Sequence, residues 1–138
     1  MKMFRISLSL AFGVMMVACS GGACVSVVDS LTVTELSRIP VDVLPQKLAV
    51  SPDGARCLVS NKENNTVSVI DLKASQVIGT TEVGKAPVGI CYSRDGHHAY
   101  VACRDSGVIM VLDGKSGQVL HTTIPLPHAV PTGLTILP

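Results

Sequence analysis

Tryptophan is absent from this chain, and Phe and Tyr contribute only two residues each. A platform for stacking single-stranded bases needs aromatic faces, so the chain offers none. Charge is equally sparse: Lys and Arg number 11 against 10 Asp and Glu, for a formal net charge of +1. No block of like charge occurs, so no nucleic-acid partner is expected. No Cys-x-x-Cys pair is present among the five cysteines, which removes the usual zinc, redox and c-type haem attachment motifs. Phosphate-binding glycine loops, a Ser/His/Asp signature and a placeable carboxylate pair are also missing. The expectation is therefore no catalytic residue, no metal and no cofactor. Outside the N-terminus no window shows sustained helical periodicity.

What the chain does have is a period of 42 residues. Pro45, Ser51, Asp53, Gly54, Val59, Val69, Asp71, Lys73, Gln76 and Val77 recur as Pro87, Ser93, Asp95, Gly96, Val101, Val111, Asp113, Lys115, Gln118 and Val119. A fixed period in this range indicates an array of one small unit. Inside the unit, four runs rich in Val, Ile and Thr alternate with turn signals. They cover Lys47–Val50, Cys57–Ser60, Thr66–Ile70 and Gln76–Val83. The Asp53-Gly54 and Asp95-Gly96 pairs suit tight turns, because Gly tolerates positive φ and Asp satisfies nearby backbone N–H groups.

Four antiparallel strands in about 40 residues describe one propeller blade. Both faces of a blade pack on neighbours, which explains runs such as Val108-Ile109-Met110-Val111-Leu112 that lack polar alternation. A two-sheet sandwich also uses short, evenly spaced strands, but it does not call for repeated sequence. The fold class is read as all-β, a partial β-propeller of about three four-stranded antiparallel blades.

Ser51-Pro52-Asp53-Gly54, Leu58-Val59-Ser60-Asn61 and Asn65-Thr66-Val67-Ser68-Val69-Ile70-Asp71 together resemble the bacterial and archaeal YVTN-type β-propeller repeat. Tyr100-Val101-Ala102-Cys103 departs from the name motif at its last two positions. The resemblance covers residues 45–130. It implies a blade whose first strand lines a central channel and whose fourth is outermost. The family includes surface-layer proteins, exported binding proteins and a few enzymes, so it does not choose a function. The missing Trp-Asp dipeptide sets the chain apart from WD40 repeats, which share the architecture.

The repeat divides the chain into the end of a first blade at 25–44, a blade at 45–86, a blade at 87–130, and the first strand of a further blade at 131–138. Propellers close with about four to eight blades. Further blades, from the same or another chain, are therefore expected to complete the ring. A longer propeller, a truncated gene remnant and an oligomerising unit all fit this arithmetic.

Residues 1–24 carry two readings. Lys2 and Arg5 precede an uncharged run from Ile6 to Ala18, then small residues surround Cys19. This is the layout of a secretory signal. Met16-Val17-Ala18-Cys19 resembles a bacterial lipobox with Met where Leu is usual. The resemblance implies cleavage before Cys19, acylation of its thiol and new amine, and a lipid anchor, with the protein exported to the periplasm or cell surface. Alternatively, a shift of 84 residues aligns Ile6, Ser9, Val17-Ala18-Cys19, Val27 and Asp29 with Ile90, Ser93, Val101-Ala102-Cys103, Val111 and Asp113. The segment is then a degenerate blade, with cytoplasmic placement as the corresponding alternative.

His97 and His98 follow an Asp-Gly turn; adjacent side chains in a strand point to opposite faces, which makes a poor chelating pair. His128 lies in the longer Pro125–Pro131 connection between an outer strand and the next inner one. Such loops, with Asn61–Asn65 and Arg104–Gly107, form the expected contact surface. The candidate binding residues are Asn61, Asn64, Asn65, Arg104, Asp105 and His128. The functional expectation is a non-enzymatic binding or surface-structural module for an unknown protein or small-molecule ligand. The alternative is a piece of a propeller enzyme, lactonase-like or haem-dependent reductase-like, whose catalytic residues lie elsewhere.

Overall fold

The computed structural model of the chain describes residues 3–6, 14–19, 22–29, 31, 32 and 34–137; for 3–6, 14–19, 121 and 122 it places the backbone alone. Among the described residues, twelve strands form three four-stranded antiparallel sheets. The first holds β1 (Met3–Ile6), β2 (Val14–Cys19), β3 (Cys24–Asp29) and β4 (Glu35–Pro40). The second holds β5 (Pro45–Val50), β6 (Arg56–Asn61), β7 (Thr66–Asp71) and β8 (Gln76–Glu82). The third holds β9 (Pro87–Tyr92), β10 (His98–Cys103), β11 (Val108–Asp113) and β12 (Val119–Pro125). Each sheet is a simple meander in sequence order, the blade that the period describes.

The blades stack through their first strands. β5 packs against β9, and β1 and β2 against β5. The outermost β8 alternates between half-buried and exposed residues, as a strand far from the packed centre should.

The middle blade shows why both of its faces are apolar. Leu48, Val50, Cys57, Val59 and Ile70 join Val25 and Ile39 in one core, between the first and second blades. Ala49, Leu58, Val67 and Val69 point the other way and join Ile90, Tyr92, Ala99, Val101, Cys103 and Leu112 between the second and third. Successive residues of a strand project to opposite faces, so consecutive apolar residues serve two different cores. Fully burying a Val, Leu or Ile side chain is worth about 1.5–3 kcal/mol.

Backbone irregularities repeat as faithfully as the side chains. The ladder between third and fourth strands shifts register at Val27/Val28, Val69/Ile70 and Met110/Leu112, one repeat apart. Left-handed backbone recurs too, at Leu44, Ala86 and His128, at Asn65 and Gly107, at Ser75 and Gly117, and at Gly54 and Gly96.

Residues 131–137 differ from the expected first strand of a further blade. They form no ladder. Even so, their backbone packs on β9: a Cβ on Gly89 would lie 2.9 Å from the Leu134 nitrogen. Arg94 Nη2 donates to the Leu137 carbonyl at 2.9 Å.

In residues 1–24, β1 pairs with β2 from Met3↔Cys19 to Ile6↔Met16, and β2 with β3 from Val14↔Asp29 to Cys19↔Cys24. The polar turn of later repeats corresponds to residues 9–12, which lie outside the described residues.

Candidate functional site

An antiparallel meander has two ends. One carries the Asp-Gly turns (Ser51–Arg56, Ser93–His98) and the turns between third and fourth strands (Asp71–Gln76, Asp113–Val119). The other carries the turns Asn61–Thr66 and Cys103–Val108 together with the blade-to-blade connections. All six candidate binding residues fall at this second end.

Here the connections are clamped between successive blades. The Val43 N–H donates to Asn64 Oδ1 at 3.2 Å, and one repeat later the Lys85 N–H donates to Ser106 Oγ at 2.7 Å. The Ala86 N–H donates to Asn65 Oδ1 at 2.9 Å, while the Ala86 carbonyl accepts from the Arg104 N–H at 2.9 Å. Ala86 is thus held from the blade behind it and the blade ahead. Asn65 has φ +57, a conformation that Asn tolerates better than most residues. Asn64 and Asn65 therefore spend their carboxamide oxygens on the scaffold.

Asn61 differs more from the expected contact loop: it ends β6 with 0 % exposure. Its Nδ2 donates to Thr66 Oγ1 at 3.2 Å and Ser68 Oγ at 2.9 Å, and Thr66 Oγ1 donates to Asp42 Oδ2 at 2.6 Å. A buried amide must be hydrogen-bonded to avoid a large desolvation cost, and this network supplies the bonds for its nitrogen. Oδ1 has no partner. The equivalent position in the next blade is the buried Cys103, so one slot takes an amide in one repeat and a thiol in the other.

Arg104, Asp105 and His128 do come together. Arg104–Val108 and Pro125–Val130 wall an open cleft of about 580 Å³. The Leu126 N–H donates to the Gly107 carbonyl at 2.8 Å and the Ala129 N–H to the Leu126 carbonyl at 3.2 Å, which fixes the connection against the turn. Arg104 Nε donates to Asp105 Oδ1 at 2.8 Å. That bond holds the Asp105 carboxyl below its ordinary value and raises the Arg104 guanidinium above its own. His128 is exposed with φ +67. Its backbone is the repeat conformation of Leu44 and Ala86 rather than a local peculiarity. Arg104 and Asp105 are a paired cation and anion, able to exchange each other for a ligand's charged groups.

The opposite end behaves differently. Asp53 Oδ1 accepts from Ser51 Oγ at 2.6 Å and the Ala55 N–H at 3.0 Å; Asp95 Oδ1 accepts from Ser93 Oγ at 2.6 Å and the His97 N–H at 3.0 Å. Asp113 Oδ1 accepts from the Lys115 and Ser116 N–H groups, and Asp71 Oδ1 from the Ala74 N–H at 2.9 Å. These bonds push all four carboxyls below the usual aspartate range. They are turn-closing groups. A cleft of about 330 Å³ lies between the two Asp-Gly turns, beside Arg56, His97 and Lys115. His97 Nδ1 sits 3.2 Å from Asp95 Oδ2. No group of three or more His, Cys, Asp or Glu poised for a metal occurs among the described residues.

Cys57 and Cys103 are buried, with thiols pushed up to about 12 and about 11 by desolvation. Cys19 ends β2; its side chain, the proposed lipidation point, lies outside the described residues. No helix among the described residues is long and apolar enough to cross a membrane.

No family model matches the chain, and no curated protein matches it. Solved structures do. Hydrazine synthase of Kuenenia stuttgartiensis is 33% identical at a TM-score of 0.83, over 88% of this chain and 35% of that one. Dihydro-heme d1 dehydrogenase NirN, solved in complex with DHE, is 18% identical at 0.74, over 89% of this chain and 29% of that one. A putative 6-phosphogluconolactonase from Bacteroides fragilis NCTC 9343 is 18% identical at 0.83, over 99% of this chain and 41% of that one. This chain spans between about three tenths and two fifths of the length of these structures. The three blades are part of a β-propeller fold.

Proposed function

We propose that this chain is a non-enzymatic segment of a YVTN-type β-propeller, presenting a binding face at the end that carries the blade-to-blade connections. The observation that carries this reading is the cleft between Arg104–Val108 and Pro125–Val130, where an ion pair and the exposed His128 meet. At the other end the carboxylates are already used within their own turns. Further blades, from this or another chain, complete the ring. The test is amide chemical-shift mapping of the full chain with a fragment library containing carboxylates, amines and short peptides. Shifts gathered at residues 104–108 and 125–130 support the reading; shifts gathered at 93–98 overturn it.

A second reading draws on the neighbours named a lactonase and a haem d1 dehydrogenase, in which the chain is part of a propeller enzyme whose catalytic groups lie on other blades. Lactone hydrolysis or a porphyrin absorption band from the full-length native protein favours it over the binding module.

For residues 1–24 we read blade strands, on the strength of the continuous β1–β2–β3 ladder and the contact of β1 and β2 with β5. Native protein that keeps Met1 to Ala18 supports this. A chain starting at an acylated Cys19 restores the exported lipoprotein.

A further inference from the structure

We propose that Cys19 and Cys24 form a disulfide across the β2–β3 hairpin, a redox-sensitive staple at the binding end of the first blade. The inference goes beyond the binding reading and rests on residues 1–24 being kept as blade strands. It starts from register. Cys19 and Cys24 are direct partners in the β2–β3 ladder, joined by the short connection 20–23. Residues directly opposite in an antiparallel pair carry Cβ atoms on the same face about 4.5–5.5 Å apart. A disulfide takes Cα separations of about 4.4–6.8 Å, with Cβ atoms about 3.5–4.5 Å apart, so direct partners need little adjustment.

The other repeats show that side chains at this position meet. In the second blade the corresponding pair is Asn61↔Thr66, whose side chains hydrogen-bond at 3.2 Å. In the third it is Cys103↔Val108, packed in one core. The remaining cysteines have no such match: Cys57 faces Val50 and Ile70, Cys91 faces Tyr100, and Cys103 faces Pro87 and Val108. Five cysteines thus contain one cross-strand cysteine pair in the described ladders.

Formation needs a disulfide oxidant such as glutathione disulfide. One thiolate attacks it and releases one glutathione; the second thiolate attacks the mixed disulfide and releases the other. The two cysteine thiols give up two protons and two electrons, and the oxidant becomes two thiols. The closed ring is short, so it removes little entropy from the unfolded chain. Such a bond responds to redox poise more than it holds the fold. It persists where the surroundings are oxidising and opens where glutathione and thioredoxin keep thiols reduced.

The test exploits the positions of Lys and Arg. Trypsin places Cys19 and Cys24 on the peptide 6–38, while Cys57, Cys91 and Cys103 fall on separate peptides. The full-length protein is equilibrated with glutathione disulfide, alkylated in denaturant, reduced, then alkylated with a second reagent. Two second-reagent labels on 6–38, and none elsewhere, are expected. Cys19→Ser and Cys24→Ser should each lose the second label, while Cys91→Ser should keep both. First-reagent labels on 6–38 in an intact chain overturn the disulfide alone, as does a bond to Cys91. A native chain beginning at acylated Cys19 overturns both the disulfide and the blade reading beneath it.

Discussion

The two ends of these blades are built on opposite plans. At the Asp-Gly end each turn is satisfied within its own blade: Asp53 by Ser51 and Ala55, Asp95 by Ser93 and His97, Asp113 by Ser116. At the other end the bonds cross from connection to turn, Val43 to Asn64, Ala86 to Asn65, Lys85 to Ser106. The first plan makes a blade that is locally complete. The second makes blades that hold one another. A ligand at the stitched end meets two segments already fixed to each other, so less ordering is left to binding.

The comparison breaks most severely at Asn61, which anchors the stitched end from inside. Asn61→Ala removes two buried bonds and takes the donor from Ser68, while Thr66 keeps its bond to Asp42; urea unfolding should show a loss of about 3 kcal/mol. Asn65→Gly keeps the left-handed backbone and deletes only the bond to Ala86, so about 1 kcal/mol should go. Its partner change, Ala86→Gly, relieves a left-handed Ala and should raise stability by about 0.5 kcal/mol, read from the same denaturation curves. The smallest effect is acid. Carboxyls with lowered folded pKa values contribute stability that is complete above the unfolded aspartate value of about 3.9 and is lost as pH falls through the folded values. Amide protection, measured against the intrinsic exchange rate, should therefore fall at Ala55, Ala74, His97 and Ser116 as pH drops through the folded values, below the ordinary aspartate value of about 3.9. Protection at Ala86, held by a neutral carboxamide, should not follow. Equal loss at both ends would dissolve the contrast.

Most of the fold was legible in the repeat. The strands, their order and the Asp-Gly turns follow from Val/Ile/Thr runs punctuated by Asp and Gly, whose roles are local. The site was legible only in outline. Asn61 stands in a polar stretch, Asn61-Lys62-Glu63-Asn64-Asn65, and polarity alone does not separate a buried amide from an exposed one; its partners Thr66 and Ser68 lie in the next strand, and Asp42, which accepts from Thr66, lies in the previous connection. Asn64 and Asn65 reach across 21 residues for their donors, which no local pattern reports. The cross-blade role of Ser106 was missed, though its alignment with Asn64 was a usable signal. Left-handed Gly54, Gly96, Gly107 and Gly117 announce themselves, whereas Leu44, Ala86, Ser75 and His128 adopt the same backbone under side chains that usually avoid it.

The left-handed residue at Leu44, Ala86 and His128 stands where each blade hands the chain to the next. The same joint, bent the same way, returns after each of the three blades. An identical rotation repeated about one axis traces a circle, and the number of blades that fill it is the number of such steps in a full revolution. The joint is therefore a place to change ring size: a residue that alters its bend would alter the step angle, with every blade left intact.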